Sequence, residues 1–302
     1  MHANLRTVVP PVALVVLWSS GFIGAELGTR EAPASTLLAW RYLVASAILV
    51  AICCWRRERV DRTGIRRQVA LGVLCQAAYL GLTVTGVGLG APAGTTALIA
   101  SLQPLVVIAL AAMILAERVH AAQLLGLGLG LGGVVLVVSG DLSAGDAPWW
   151  AYLLPVGGML ALSVGTVLQQ RWQPRESVLM ALTIQTVTGA VAFWLLALVE
   201  GTVDEPTPAG FWVAVAWVVV LSSFGGYGAY LYVSRKQGAT RASTWLYLTP
   251  PTTMLWAAVM FGDRVHAAGL AGLALSAVGV VIALRSGARS REESRETVDA
   301  LR

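Results

Sequence analysis

Glu117-Arg118-Val119-His120-Ala121-Ala122 returns, nearly letter for letter, as Asp263-Arg264-Val265-His266-Ala267-Ala268, 146 residues further on. The same offset pairs Pro104 with Pro250 and Gly126 with Gly272. It also pairs Gly133-Val134-Val135 with Gly279-Val280-Val281. Agreement over some forty residues at one offset marks an internal duplication.

What was duplicated follows from the flanking residues. Apolar side chains make up 57% of the chain and charged ones 12%, against about 25% charged in a soluble domain. The mean hydropathy is +0.72. The relevant length is therefore that of a bilayer span, about 20 apolar residues. Ten such runs are expected, at 10–27, 33–54, 69–88, 93–116, 120–139, 149–168, 178–199, 210–233, 241–261 and 266–284. Arg6 before the run Val12–Leu17 has the outline of a secretory signal. The run continues past Trp18 to Leu27 without a clean small-residue cleavage site, so it is read as the first helix.

Loop charges set the orientation. With the N-terminus in the cytoplasm, 18 of the 21 Lys and Arg residues fall on the cytoplasmic side. Arg30 and Arg264 fall outside, and Arg41 lies within a span. Asp141, Asp146, Glu200, Asp204 and Glu205 occupy the outer loops. By the positive-inside rule both termini are cytoplasmic. The net charge of +5 thus belongs to membrane orientation, and no nucleic-acid partner is expected. The partners expected are the lipid bilayer and a small-molecule substrate, and the sequence leaves a homodimer open. Five spans per half is an odd number, so the second half enters the membrane from the opposite side. The expected fold is an all-α membrane protein of ten transmembrane helices in two inverted five-helix repeats. The first repeat spans 1–142, the second 147–285, and 286–302 form a disordered cytosolic tail. Inverted repeats recur in transporters, with the substrate site near the midplane between the halves.

Several stretches then resemble a known family. Leu17-Trp18-Ser19-Ser20-Gly21-Phe22 and Trp40-Arg41-Tyr42-Leu43 stand in the first two spans. Pro92-Ala93-Gly94 leads into Ser101-Leu102-Gln103-Pro104 and Glu117-Arg118. Gly165-Thr166-Val167-Leu168-Gln169-Gln170-Arg171 stands where a second repeat would begin. In order and spacing these resemble the EamA-type permeases of the drug/metabolite transporter superfamily, over about residues 10–285. The resemblance implies a ten-helix fold in the cell inner membrane and export of metabolites or amino-acid-like solutes. The second half departs from the first with Thr249-Pro250-Pro251 in place of Gln103-Pro104, which implies an asymmetric site.

Arg41 is the leading candidate for substrate contact. It lies about 12 Å from the outer end of its helix at 1.5 Å per residue. A charge at that depth needs a partner, a cavity or a substrate. Its planar fork suits a carboxylate. A structural pairing with Glu26 or with backbone carbonyls is the alternative. Its approximate mate in the second half is Gln185. Trp18, Gln76, Tyr79, Gln103, Ser163, Gln185, Tyr227, Tyr230, Trp245 and Tyr247 supply polar and amphipathic groups suited to lining a cavity. Glu26 closes the first span as a coupling carboxylate or as an interfacial residue. Glu117 is a helix-end or gating residue. Pro104 and Pro250 are paired kinks that could serve as hinges.

Other chemistry finds little support. Of the histidines, His2, His120 and His266, the last two are repeat mates on opposite faces and share no metal. Cys53, Cys54 and Cys75 are read as packing residues, and no cofactor is expected. The glycines at 126, 128, 130, 132 and 133 sit in an apolar run, where small residues let helices approach. The chain lacks a Walker-type loop and clustered nucleophiles or bases, so it is not read as an enzyme. The alternative to a transporter is a non-transporting scaffold or assembly subunit.

Overall fold

The computed structural model describes residues 5–58, 60–115, 121–144, 147–173, 175–204, 208–237, 245–263 and 265–282. Helix follows helix along this length, and no strand occurs among the described residues. The helices are α1 (Leu5–Thr29), α2 (Ala34–Arg56), α3 (Arg62–Gly72), α4 (Tyr79–Gly88), α5 (Ala93–Ser101), α6 (Gln103–Leu115) and α7 (Ala121–Ala144). They continue as α8 (Leu153–Trp172), α9 (Val178–Glu200), α10 (Ala209–Trp217), α11 (Tyr227–Gln237), α12 (Thr249–Phe261) and α13 (Ala267–Ile282).

Consecutive pieces join into longer rods. A π-helical stretch, Val73–Ala78, welds α3 to α4, and another, Val218–Gly226, welds α10 to α11. Among the described residues, eight rods are long and apolar enough to cross a membrane, and α13 is a shorter apolar helix. The ten expected spans are thus matched in part. Residues 241–244 of the ninth span, Glu117, Arg118, His120 and the tail lie outside the described residues.

Two expectations change in detail. The third span begins at Arg62, not at 69, so Arg62, Arg66 and Arg67 ride on the first turns of α3. Asp61 starts that helix early because its carboxylate accepts the Gly64 N–H. The fourth span is interrupted rather than bent. The helix stops at Ser101, Leu102 is a turn, and Pro104 is the second residue of α6. Pro250 is likewise the second residue of α12, after a turn at Tyr247 and Leu248. Proline is tolerated in a first turn, where its missing N–H would have no intrahelical partner.

Burial is arranged as a membrane protein requires. Leu124, Val135, Leu195, Val199 and Val259 point outward, while Ser19, Ser20, Gln68, Thr96, Ser163 and Thr253 have no exposed surface. Three threonine hydroxyls return to their own helices: Thr166, Thr183 and Thr188 each donate to the carbonyl four residues back.

Two long seams join residues before 142 to residues after 147. Along one, α2 packs antiparallel on α9, with Thr36 donating to the Thr202 carbonyl at one end and Cys53 beside Thr183 at the other. Gly189 on α9 lets the Tyr42 ring lie flat against it. Along the other, α7 meets α13 through bare backbone. Gly133 faces the Gly272 carbonyl, Gly279 faces the Gly126 carbonyl, and Ser276 donates to the Gly130 carbonyl. Between the seams, α1 lies against Val218–Gly226, α4 against α8, and α5 against α12.

Candidate functional site

Arg41 sits inside α2, flanked by buried Ala39 and Tyr42. Its guanidinium donates to Ser223 Oγ, 182 residues further on, at 3.2 Å and lies 5.7 Å from the centre of the Tyr42 ring. Ser223 belongs to the π-helical stretch, and its own hydroxyl turns back to the Val218 carbonyl. Arg41 is not paired with Glu26, the structural alternative read from the sequence. Glu26 instead binds Arg30 one turn away at 2.6 Å. Helical geometry makes that pairing, because i and i+4 share a face. It is the only ion pair among the described residues, so no described carboxylate neutralises Arg41.

From Arg41 a string of polar groups runs through the helix bundle. The Tyr42 hydroxyl donates to Gln76 Oε1. Gln76 Nε2 reaches Gln185 Oε1 at 3.5 Å, and Gln185 Nε2 donates to Gln68 Oε1 at 2.8 Å. Tyr79, three residues beyond Gln76, lies within reach of the Arg41 charge. Gln68 is wholly buried, and its Nε2 has no partner. Arg41, Gln76, Tyr79 and Gln185 are thus brought together from α2, the α3–α4 rod and α9.

The other expected residues form separate groups. Trp18 and Trp245 pack with Tyr230 against buried Leu14 and Val233, and the Trp18 and Tyr230 rings lie 5.8 Å apart. Tyr227 adjoins Tyr230, with ring centres at 6.4 Å. Gln103 donates to Thr166 Oγ1 at 3.0 Å, tying the start of α6 to α8. Tyr247 packs against the apolar cluster of Leu98, Leu102, Leu105 and Val137, and Ser163 is buried with its hydroxyl on the Met159 carbonyl. Glu117 lies outside the described residues.

At the end of α1, Arg30 also covers the Phe261 ring at 4.2 Å. A cavity of about 300 Å³ opens nearby, lined by Thr95, Asp141, Tyr152, Asp263 and His266 among others. Thr95 donates to the Asp141 carboxylate. Asp263, in the loop after α12, has its carboxyl raised above the ordinary range by burial, with the Arg30 charge opposing.

Three members of the polar string escaped the sequence reading as site residues: Tyr42, Ser223 and Gln68. Gln68 carried a usable signal. It precedes Gln76 by eight residues, close to two helical turns, which places both amides near one face. Ser223 carried none, because only the fold brings it to Arg41.

Membrane-length helices around a half-buried arginine, with no acid paired to it among the described residues, and a string of amides define a multi-pass membrane protein with a polar interior. The EamA-like transporter family matches residues 11–139 and again 149–285, and the chain belongs to that family. It is a membrane transporter. An Escherichia coli K12 protein named "Uncharacterized inner membrane transporter YedA" is 24% identical over 89% of this chain and 86% of its own. A Salmonella typhimurium protein named "Probable amino-acid metabolite efflux pump" is 22% identical over 89% of this chain and 91% of its own. A Streptantibioticus cattleyicolor protein named "Probable terminal-alkyne amino-acid exporter" is 27% identical over 94% of this chain and 95% of its own. One solved crystal structure superposes with a TM-score of 0.62 at 21% identity, covering 92% of this chain and 97% of the other.

Proposed function

We propose that this transporter exports small amino-acid-like or amphipathic metabolites across the inner membrane by alternating access between two inverted repeats, 1–142 and 147–285. Both termini face the cytoplasm in this reading. The observation that carries it is Arg41, a guanidinium inside the bundle with a serine hydroxyl for a partner and no described acid beside it. An unmatched cation at that depth is costly unless an anion reaches it during the working cycle. The carboxylate of an amino-acid-like solute matches its fork.

Several features support the two-repeat reading. Shifted by 146, the π-helical stretch Val73–Ala78 falls inside Val218–Gly226, and the turn at Leu102 falls on the turn at Leu248. The α7–α13 seam is reciprocal at the same offset: Gly133 meets Gly272, and their mates Gly279 and Gly126 meet in turn. π-Bulges and broken helices are features often found at functional sites and hinges. Pro104 and Pro250, each beginning the segment after a break, are the proposed hinges. Gln76, Tyr79, Gln103, Gln185 and the aromatic group of Trp18, Tyr227, Trp245 and Tyr247 line the path. Glu26 is the proposed coupling carboxylate, because its Oε2 is buried without a partner while Oε1 holds Arg30.

The test is a solute screen in proteoliposomes with wild type, Arg41→Ala and Arg41→Lys, with and without a pH gradient. Amino-acid-like solutes should move with wild type and stop with Arg41→Ala, while Arg41→Lys retains a fraction. Equal flux in wild type and folded Arg41→Ala refutes the anchor. No flux of any solute by folded wild type counts against export.

A further inference from the structure

A second polar cleft lies away from Arg41, on the arginine-rich face. Its volume is about 470 Å³, and its walls come from the start of α3 and the α8–α9 connection. Asp61, Gly64 and Arg67 form one side; Trp172, Arg175 and Glu176 form the other. The cleft therefore carries two cations and two carboxylates. Here neither arginine pairs with either acid, since the sole ion pair among the described residues is elsewhere.

Arg175 is exposed, and the other three charges are placed by contacts of their own. Arg67 Nη1 donates to the Trp172 carbonyl at 3.2 Å, at the last turn of α8. Asp61 is fixed as the cap of α3 by the Gly64 N–H at 2.8 Å. Glu176 lays its Oε1 against the bare Cα of Gly64, in space that a Cβ would fill. Its Oε2 is buried and accepts no hydrogen bond. A buried carboxylate oxygen without a donor is expensive, and Glu176 lines a cleft that also carries the guanidinium groups of Arg67 and Arg175.

We infer that this cleft binds a zwitterion, with an anionic group set on Arg67 and Arg175 and a primary ammonium set on Glu176. Two sources offer that chemistry: a free α-amino acid on its way to Arg41, and the ethanolamine-phosphate headgroup of a lipid. Arg67 immediately precedes Gln68, the end of the amide string that leads to Arg41. A soluble amino acid held here stands at the mouth of that string. Naming the soluble source rests on the export reading; the charge pattern of the cleft does not.

The test is equilibrium binding to the purified full chain in phospholipid-free maltoside micelles. The probes are tritiated phenylalanine, its N-acetyl and amide derivatives, and O-phosphoethanolamine. Saturable binding of an intact zwitterion is expected, with both single-charge derivatives much weaker. Glu176→Gln and Arg175→Gln should each weaken it about 10- to 100-fold, the loss of one charge-assisted hydrogen bond. Gly64→Ala, which displaces the Glu176 carboxylate without removing it, should act in the same direction. Binding of phosphoethanolamine alone, with phosphatidylethanolamine retained by wild type and lost by Glu176→Gln in native mass spectrometry, assigns the headgroup source. Binding that ignores all three variants, or no zwitterion binding to folded protein, overturns the inference. Transport is read separately. Zwitterion binding without flux strikes only the export reading, and flux whose KM is unchanged in Glu176→Gln and Arg175→Gln strikes only the cleft.

Discussion

Gly133→Ala probes the α7–α13 seam, where two backbones touch with the Ser276 hydroxyl beside them. A Cβ at Gly133 would stand 2.8 Å from the Ser276 amide nitrogen and closer still to the Gly272 carbonyl oxygen. Both obstacles are backbone, so no rotamer change relieves them, and the helices must part by several tenths of an ångström. Overpacking of this kind costs about 1–3 kcal/mol. Parting the helices also stretches the 3.1 Å bond from Ser276 Oγ to the Gly130 carbonyl, worth roughly 0.6 kcal/mol inside a membrane. Alanine returns up to about 1 kcal/mol of helix propensity. The net expectation is a loss of about 0.6–2.6 kcal/mol, from the difference of those terms. Gly128→Ala is the internal control, because nothing lies within 4 Å of its added Cβ; it should be neutral or slightly stabilising. Gly279→Ala meets the Gly126 carbonyl in the mirrored contact and should match Gly133→Ala to within about 0.5 kcal/mol. Reversible unfolding of the purified chain in mixed micelles with rising SDS, followed by circular dichroism, supplies the numbers. If Gly133→Ala proves no less stable than Gly128→Ala, the backbone contact is not a constraint and the reasoning fails.

Gln185→Leu removes the 2.8 Å bond that holds Gln68 and leaves a fully buried amide alone, at about 1–3 kcal/mol; Gln68→Leu in the same chain should recover most of it in a double-mutant cycle by SDS titration. Gly189→Ala puts a methyl 2.6 Å from Tyr42 Cε1. That should tilt the ring, detach Tyr42 from Gln76 and lower flux in proteoliposomes while helicity by circular dichroism is kept; unchanged flux would separate the tyrosine from transport. Asp263 gives a pH signature. Burial raises its carboxyl above the ordinary 3.8 while Arg30 opposes, and Glu26, Asp141 and His266 share the surroundings. A raised folded pKa favours the neutral acid, so its contribution is complete below 3.8 and is lost as pH climbs through the folded value. Wild type should therefore lose stability relative to Asp263→Asn over that rise in pH, as read by thermal unfolding; parallel curves for the two proteins would refute it.

Arg41, Gln76, Tyr79 and Gln185 could be picked from the sequence because polar residues are conspicuous inside apolar runs. Their grouping could not be read there. Gln185 is 109 residues from Gln76 and 117 from Gln68, and no periodicity relates such distances. The pairing of Arg41 with Glu26 was a fair reading of two charges on adjacent spans. Glu26 found a nearer cation in Arg30, which helical spacing holds beside it. The breaks before Pro104 and Pro250 were legible as perturbations, since proline acts locally. Whether the helix would bend or stop depended on the turns at Leu102 and Leu248.

By itself the sequence determined the membrane class, the places where most helices begin and end, and the 146-residue recurrence. These follow from hydropathy, capping and proline, which act over a few residues or along one helix. Only the tertiary structure decided that Arg41 faces Ser223, that four amide and phenol groups form one string, and that Arg67, Arg175 and Glu176 surround a cleft without pairing. Those arrangements depend on how rods from distant parts of the chain pack. Packing is set by the shapes of whole faces, down to the bare glycines at Gly64, Gly133 and Gly189 that let backbone and side chain meet.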